Sequence, residues 1–187
     1  VLGRGRAGNV KNLKRIGRRL GFNVRAIKPL RSAGQVISST LIRRLIMSGR
    51  LKNARQLLGR DISVLGTVVR GSRRGRTIGF PTANIDPHHE AIPPSGVYAV
   101  KVKIDRKEHK GVAIIGFRPT FYREQREKRP VIEVHILDFS RLIYGEDAEV
   151  IFLKKIRQER KFKDGRALSL KIKKDIANAK DYFKKAI

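Results

Sequence analysis

Cysteine is absent from the 187-residue sequence, and histidine occurs only four times. Without cysteine the chain has no disulfide framework, no thiolate metal site and no cysteine nucleophile, and four scattered histidines do not favour a metal cluster. Long apolar runs are also lacking, since none approaches the about 18 residues that a membrane-spanning helix needs. No uninterrupted apolar block of a secretory signal opens the chain. These absences predict a soluble, cytoplasmic protein, and 40% hydrophobic residues suffice for a core.

Acidic residues are missing from the first third of the chain. The whole sequence has 44 Lys and Arg against 16 Asp and Glu, a formal net charge of +28. Sixteen of the basic residues and none of the acidic ones lie in residues 1–60, which therefore carry +16. A field of this sign attracts polyanions such as nucleotides and nucleic acid. The change near Asp61 predicts two parts, residues 1–58 and residues 59–187.

The first part shows helical periodicity in short pieces. Apolar residues recur every three or four positions before Gly21, before Gly49 and before Gly59, and glycine commonly ends a helix. Short β-branched runs lie between the first two helices. The pattern predicts a very basic partial α/β segment with helices at residues 9–20, 38–48 and 51–58 and strands at residues 22–27 and 35–38.

Beyond Asp61 the apolar period changes from 3.6 to 2. Runs rich in valine and isoleucine alternate with Gly, Pro, Asp and Ser clusters, which is typical of strands. These runs occupy residues 62–70, 96–104, 110–117, 131–139 and 148–156. Five or six such strands predict a mainly β domain, either a small barrel or a sandwich. From about Asp164 helical spacing returns, so we expect a C-terminal amphipathic helix against the sheet.

The stretch GRTIGFPTANID, residues 75–86, predicts a shaped loop that binds phosphate. Its glycines permit unusual backbone angles, its proline fixes φ, and glycine-rich backbone can direct N–H groups toward phosphate oxygens. Thr82 and Asn84 alternate on an extended segment, so both can offer neutral oxygens to one Mg²⁺. The alternative is a structural turn in which Asn84 bonds its own backbone. The predicted phosphate-binding residues are Gly71, Arg73, Arg74, Gly75, Arg76, Gly79, Pro81 and Thr82.

Six stretches together resemble a known family. In order and spacing, ISVLGTVVRGSRRGRTIGFPTANID, PSGVYAVKV, GVAIIGFRPTF, VIEVHILDF, LIYGED and FLKKIRQERKF resemble the riboflavin kinase module at the C-terminal end of bacterial bifunctional riboflavin kinase/FAD synthetases. The match covers most of residues 55–185. The resemblance implies a small antiparallel Greek-key-like β-barrel that phosphorylates riboflavin to FMN with ATP and Mg²⁺. It gives Thr82 and Asn84 the metal and phosphate role.

VIEVHILDF supplies the expected general base. Strand alternation places Glu133 and His135 on the face opposite Ile132, Val134 and Ile136, and a lone glutamate among apolar residues invites a functional explanation. The resemblance implies that Glu133 accepts the proton of the ribityl terminal hydroxyl. The alternative is a rim carboxylate paired with an arginine. We interpret His135 as structural.

For the flavin, the resemblance points to two stretches, FRPTF at residues 117–121 and IRQERKF at residues 156–162 before the last helix. A flavin site needs an apolar slot with a few polar groups for the ring edge. An aromatic at this place can instead anchor the terminal helix. Ile114 departs from the pattern, since many relatives carry a polar residue there. The implied flavin-binding residues are Arg118, Thr120, Arg157 and Phe162.

The first sixty residues, with GRGRAGNVKNLKRIGRRLGF and VISSTLIRRLI, resemble the end of an adenylyltransferase domain. The family's His-x-Gly-His nucleotide motif is missing, so we expect no FMN adenylyltransferase activity from this chain. A vestigial phosphate site is implied at Ser38, Ser39, Thr40 and Arg43, although helix capping is the stronger explanation for the two serines.

A second hypothesis for the whole chain is a non-catalytic RNA-binding or ribosome-associated protein derived from a flavin kinase. Phosphate contact is the expected mode, because Phe22 is the one aromatic residue in the first sixty. The candidate surface comprises Lys11, Lys14, Arg15, Arg18, Arg19, Arg43, Arg44, Arg50 and Arg55.

Overall fold

The computed structural model describes residues 8–32, 34–71, 74–88, 91–117, 130–160 and 162–185. The helices are α1 (Val10–Leu20), α2 (Ser39–Met47), α3 (Leu51–Leu58), α4 (Arg74–Thr77) and α5 (Gly165–Lys185). The strands are β1 (Arg31–Ser32), β2 (Gln35–Val36), β3 (Ile62–Val69), β4 (Ala83–Pro87), β5 (Gly96–Ile104), β6 (Lys107–Phe117), β7 (Pro130–Ile136) and β8 (Asp147–Arg157). The chain divides into two compact units between Ser38 and Ser39.

The first unit contains α1 and the antiparallel pair β1–β2. The Asn9 side chain accepts a hydrogen bond from the Asn12 amide at 3.0 Å, and Gly21 ends the helix in the left-handed region at φ 74°. The strand predicted at residues 22–27 is wrong, since this segment is irregular. β propensity depends on context, and in the described residues of this unit β1 and β2 pair only with each other.

The second unit is built around a closed six-stranded barrel in the order β3-β4-β7-β6-β5-β8. All neighbouring pairs are antiparallel. β5, β6 and β7 form a meander, and β8 returns beside β5, which is a Greek-key arrangement. The predicted Greek-key-like barrel is confirmed. The sandwich alternative is wrong, because β8 pairs with both β3 and β5 and so closes the sheet.

β4 is a strand that the sequence pattern did not predict. Its residues, ANIDP, include four types that are depleted in strands, alanine less strongly than the others, and they fell within or beside the predicted loop. In the structure β4 pairs with β3 on one side and with β7 on the other. Hydrogen bonds to two neighbours outweigh the weak local preference, and they bring the end of the loop onto the barrel wall.

Two hydrophobic clusters hold this unit together. Inward side chains of all six strands fill the barrel, and Leu51 of α3 packs against this core. The second cluster joins α5 to the outer face of β5 and β6 through buried residues such as Val97, Val112 and Phe183. The predicted C-terminal helix is therefore confirmed. Within the described residues, no helix combines the length and apolar character that crossing a bilayer requires.

α2 and α3 belong to the same compact unit as the barrel. The division into residues 1–58 and 59–187 rests on charge and resemblance, and it stays a prediction.

Candidate functional site

Asn84 and Glu133 are direct cross-strand neighbours on β4 and β7. The residues flanking them, such as Ile85 and Ile132, point into the barrel core. Strand alternation therefore places Asn84 and Glu133 together on the outer face. Opposed residues of an antiparallel pair have Cβ atoms about 4.5–5.5 Å apart. The structure thus brings the predicted metal ligand beside the predicted base.

Both residues are shielded from solvent to some extent. Asn84 is only 7% exposed, and Glu133 is half-buried. On its other side Glu133 faces Ile114 of β6, which packs against the cluster beneath α5. The carboxylate therefore has an amide neighbour on one side and an apolar neighbour on the other. The departure noted at Ile114 puts an apolar side chain next to the predicted base.

Glycines allow the preceding loop to approach these side chains closely. A Cβ at Gly71 would overlap the Asn84 carboxamide, and a Cβ at Gly75 would overlap the Phe80 carbonyl and lie 3.3 Å from the Thr82 hydroxyl. The Phe80 amide donates to the Gly75 carbonyl at 2.8 Å, which closes a turn around α4. The loop therefore packs over both predicted oxygen ligands.

His135 connects this loop to β7. Its Nδ1 lies 2.8 Å from the Pro81 carbonyl oxygen. Its ring meets Phe80 edge to face, with centroids 5.8 Å apart and an interplanar angle of 84°. Because a carbonyl only accepts hydrogen bonds, Nδ1 carries the hydrogen. The interpretation of His135 as a hydrogen-bonded structural residue fits these contacts.

A cleft of about 310 Å³ opens beside the loop. Thr82 and Arg76 line one side, the segment of residues 139–144 lines the other, and inward barrel residues such as Val134 form the floor. This volume lies at the lower end of the range for small-molecule sites, which is about 300–1,000 Å³. Asn84 and Glu133 are not among the lining residues, so the cleft adjoins the amide–carboxylate pair without containing it.

The far wall of the cleft was missed by sequence reasoning. It includes Phe139, Leu142 and Tyr144, and their only signal was that they fall in the VIEVHILDF and LIYGED blocks of the resemblance. Arg141 of this wall donates to Asp105 and to Glu146, each at 2.8 Å. These hydrogen bonds, first that to Asp105, raise the pKa of Arg141. Its guanidinium stays charged and tied to both carboxylates.

Of the remaining predicted phosphate-binding residues, some lie at or near the cleft and others are outside the described residues. Arg76 is exposed at the cleft, Gly79 has φ 84°, and Pro81 is exposed next to Thr82. Arg73 and the Arg74 side chain lie outside the described part of the chain, although the Arg74 backbone begins α4.

The predicted flavin residues that are described lie where β8 leads into α5. Arg157 donates to both carboxylate oxygens of Asp175, with distances of 3.0, 3.0 and 2.7 Å. Its guanidinium also lies over the Phe162 ring at 5.5 Å. Sequence reasoning missed Asp175, a buried acid on α5, because nothing local distinguishes it from exposed acids. Arg118 and Thr120 lie outside the described residues, and the flavin assignment of all four stays a prediction.

The N-terminal candidates are divided between the two compact units. Ser39 and Thr40 open α2, Arg43 follows exposed on that helix, and Ser38 precedes it. Arg55 makes an ion pair with Asp61. The other candidate cations are exposed, with Lys11, Lys14, Arg15, Arg18 and Arg19 on α1, Arg44 on α2, and Arg50 just before α3. The phosphate and nucleic-acid roles of these residues stay predictions.

The donor atoms at the loop are oxygens, the type of ligand that Mg²⁺ prefers. Thr82 and Asn84 offer neutral oxygens, and the missing Cβ of Gly71 leaves room for the amide. Mg²⁺ prefers oxygen and commonly keeps few protein ligands, completing its shell with phosphate oxygens and water. The described residues contain no group of three His, Cys, Asp or Glu side chains suited to a metal. A cation here would therefore depend on these oxygens and on a bound phosphate compound.

A closed Greek-key barrel with a tight glycine loop and an adjacent amide–carboxylate pair has the features of a small barrel-fold kinase. Comparison with protein families identifies the family within this class. The family model for riboflavin kinase (flavokinase) matches residues 58–183, and the chain belongs to this family. The family expected from the sequence motifs is confirmed.

Curated relatives share this region and extend beyond it. Bifunctional riboflavin kinase/FMN adenylyltransferase from Bacillus subtilis (strain 168) is 42% identical over 158 residues, covering 84% of this chain and 50% of that protein. The Listeria monocytogenes protein of the same name is 44% identical, with 88% and 52% covered. That of Haemophilus influenzae is 42% identical, with 95% and 57% covered. The chain spans about half the length of these relatives.

A solved structure shares the fold. A crystal structure described as a macrolide-efflux protein from Streptococcus pneumoniae is 35% identical and superposes with a TM-score of 0.72, covering 91% of this chain and 54% of that one.

Proposed function

We propose that this chain transfers the γ-phosphoryl group of ATP to the ribityl terminal hydroxyl of riboflavin, giving FMN and ADP, with Mg²⁺ as the metal. The observation that carries the proposal is the register of β4 and β7, which sets Asn84 directly opposite Glu133 beside the glycine loop. Membership of the riboflavin kinase family supports the reaction. A cytoplasmic location remains part of the proposal.

Glu133 is the proposed catalytic base. As the hydroxyl oxygen attacks the γ-phosphorus, its O–H bond breaks, the carboxylate takes the proton, and the bond to the ADP oxygen breaks. A base must lie within hydrogen-bond reach of the proton it takes, and the loop beside Glu133 can hold the phosphate at that distance. Mg²⁺, when bound by Thr82 and Asn84, supplies charge neutralisation on the phosphate oxygens. The protein residues mainly position the reactants.

The cleft is the proposed nucleotide site. Thr82 belongs both to the loop and to the cleft wall, so a nucleotide seated there would have its phosphates at the loop. Arg76 adds a positive charge on the same side. Phe139 and Tyr144 supply aromatic surface on which the adenine ring can stack. The Arg70 guanidinium lies over the Tyr144 ring at 5.9 Å. The flavin is proposed to bind outside the cleft, and the residues that the resemblance assigns to it are Arg118, Thr120, Arg157 and Phe162.

Replacing the base tests the proposal. Purified chain is treated with nuclease, cleared of nucleic acid at high salt, and assayed for FMN from riboflavin and MgATP by chromatography. Glu133→Gln is expected to lower kcat by about 10²- to 10⁴-fold, the usual contribution of a general base. MgADP affinity, measured by calorimetry, should stay within about twofold, because the amide keeps the size of the carboxylate.

Glu108→Gln is the matched control, since Glu108 is exposed on β6 and its partner is Lys101. Its kcat should equal that of the wild type. Near-normal turnover by Glu133→Gln would remove the proposed base, and no FMN from the wild-type chain would remove the proposed reaction.

A nucleic-acid partner, RNA alone or within a ribosome, is a second proposal that one observation favours. The exposed cations of α1 stand at positions 11, 14, 15, 18 and 19, a helical stripe that spans about 12 Å along the axis. Such a stripe suits phosphates of a nucleic-acid backbone. Chromatography at low salt, carried out before the nuclease treatment, tests it. RNA retained at low salt and released at high salt supports the proposal, and its absence at low salt counts against it.

A further inference from the structure

We propose that His135 is a positioning residue for the MgATP side of the site. It holds the Pro81 carbonyl and thereby fixes the direction in which the chain enters Thr82 and Asn84. This inference rests on the proposed kinase function and assigns a task to a residue that has so far only a structural description.

The contacts of His135 reach the loop immediately before the metal-ligand segment. The Nδ1–H donates to the carbonyl of Pro81 at 2.8 Å, and the ring edge contacts Phe80. Pro81 has a fixed φ, so orienting its carbonyl leaves little freedom in the peptide that leads to Thr82. The histidine therefore acts on Thr82 through a single stiff residue.

The loop needs such an attachment because of its composition. Gly75 and Gly79 give the backbone more conformations to lose on ordering than other residues would. Its own hydrogen bonds, such as that from the Phe80 amide to the Gly75 carbonyl, close the turn on itself and leave its orientation on the barrel to other contacts. The hydrogen bond from His135 ties the turn to β7. Order in the loop is then coupled to the barrel wall.

The same strand carries the proposed base. Glu133 and His135 are two residues apart on β7 and share its outer face. β7 therefore sets the spacing between the proton acceptor and the loop that bears Thr82. Catalytic steps require reacting groups within a narrow range of positions, and a misplacement of about 1 Å can cost about 100-fold. Losing the histidine contact should loosen the nucleotide side while leaving Glu133 in place.

Three substitutions separate the hydrogen bond from the bulk of the ring. His135→Asn keeps an N–H donor at the position of Nδ1, His135→Gln moves the donor farther along the side chain, and His135→Phe keeps a ring for Phe80 without a donor. We expect KM for MgATP to rise about tenfold in the Phe and Gln variants, the effect of one lost hydrogen bond. The Asn variant should stay within about twofold of the wild type. KM for riboflavin should change by less than about twofold in all three.

A binding measurement keeps the test independent of turnover. MgADP affinity is measured by calorimetry on the full chain, and thermal melts show whether each variant folds. His88→Phe is the matched control, because His88 is an exposed histidine that bonds Thr67 on β3 and lies away from the loop contacts. It should leave KM for MgATP unchanged.

Several results would overturn the inference. An unchanged KM for MgATP and unchanged MgADP affinity in both His135→Phe and His135→Gln would show that the hydrogen bond positions nothing. Equal losses in the Asn and Phe variants would assign the effect to the imidazole itself. If the wild-type chain makes no FMN, the proposed function fails, while the order of MgADP affinities among the variants still decides whether His135 positions the loop. A Phe variant that fails to fold leaves the Gln variant to decide.

Discussion

Truncating Asp175 should destabilise the barrel unit strongly. This carboxylate is 3% exposed and accepts three short contacts from Arg157, whose side chain is 16% exposed. Lys171, one turn earlier on α5, adds a second cation at 3.8 Å. The pair joins the end of β8 to the middle of α5. In Asp175→Ala the Arg157 guanidinium would remain largely buried without its partner.

The expected magnitude follows from that burial. Removing one member of a buried ion pair costs about 3–5 kcal/mol, because the remaining charge is desolvated without compensation. Asp175→Asn keeps one oxygen acceptor and should cost less, about 1–3 kcal/mol. In a protein of this size 1 kcal/mol corresponds to about 2–4 °C in Tm. We therefore expect the alanine variant to melt about 6–20 °C below the wild type.

Urea unfolding followed by far-ultraviolet circular dichroism measures the free energy, since the sequence has no tryptophan for fluorescence. Asp181→Ala is the control, because Asp181 is an exposed acid on the same helix. It should change the free energy of unfolding by less than about 0.5 kcal/mol. A cost below about 1 kcal/mol for Asp175→Ala would refute the reasoning, as it would show that Arg157 is readily hydrated when its partner is lost.

Two further predictions concern the loop and the barrel interior. Gly71→Ala should raise KM for MgATP about tenfold or more, because its Cβ would displace the Asn84 carboxamide. The control is Gly165→Ala, which has open space around it and should leave KM unchanged. Steady-state kinetics measure both variants, and equal KM values would show that Asn84 can move without affecting MgATP binding. Burial raises the pKa of Tyr98 from 10.0 to about 12, and its hydroxyl donates to the Pro94 carbonyl at 2.6 Å. The folded state then holds its proton where the unfolded state has lost it, so the free energy of unfolding should fall as pH rises from about 10 to 12. Tyr98→Phe has no ionisable hydroxyl, so its urea midpoint of unfolding should fall less steeply than that of the wild type between pH 9 and 11. Equal pH dependence of the two midpoints would contradict the prediction.

Local pattern predicted much of the barrel. Period-2 runs marked five of its six strands, and the apolar stripe beyond Asp164 marked α5. It failed at residues 22–27, where β propensity met no partner strand, and at β4, where poor propensity was overridden by pairing with β3 and β7. In both cases the deciding interaction came from a neighbour that lies outside any local window.

The candidate site divides in the same way. Alternation along VIEVHILDF gave Glu133 and His135 a shared face, and the glycines of the loop predicted a shaped segment. The cleft wall at residues 139–144 and the anchor between Arg157 and Asp175 carried no comparable signal. A buried aspartate and an exposed aspartate cannot be told apart by residue type, because burial depends on the residues that pack around each one.

By itself the sequence determined the periodicities, the shaped loop, the lone glutamate and the family motifs, because each of these depends on residues close together in the chain. Only the tertiary structure decided that Asn84 lies opposite Glu133, that His135 reaches Pro81, and that a cleft opens beside Thr82. Those contacts join segments about 50 residues apart or more. Strand pairing and closure of the barrel, which depend on the packing of the whole core, bring such segments together.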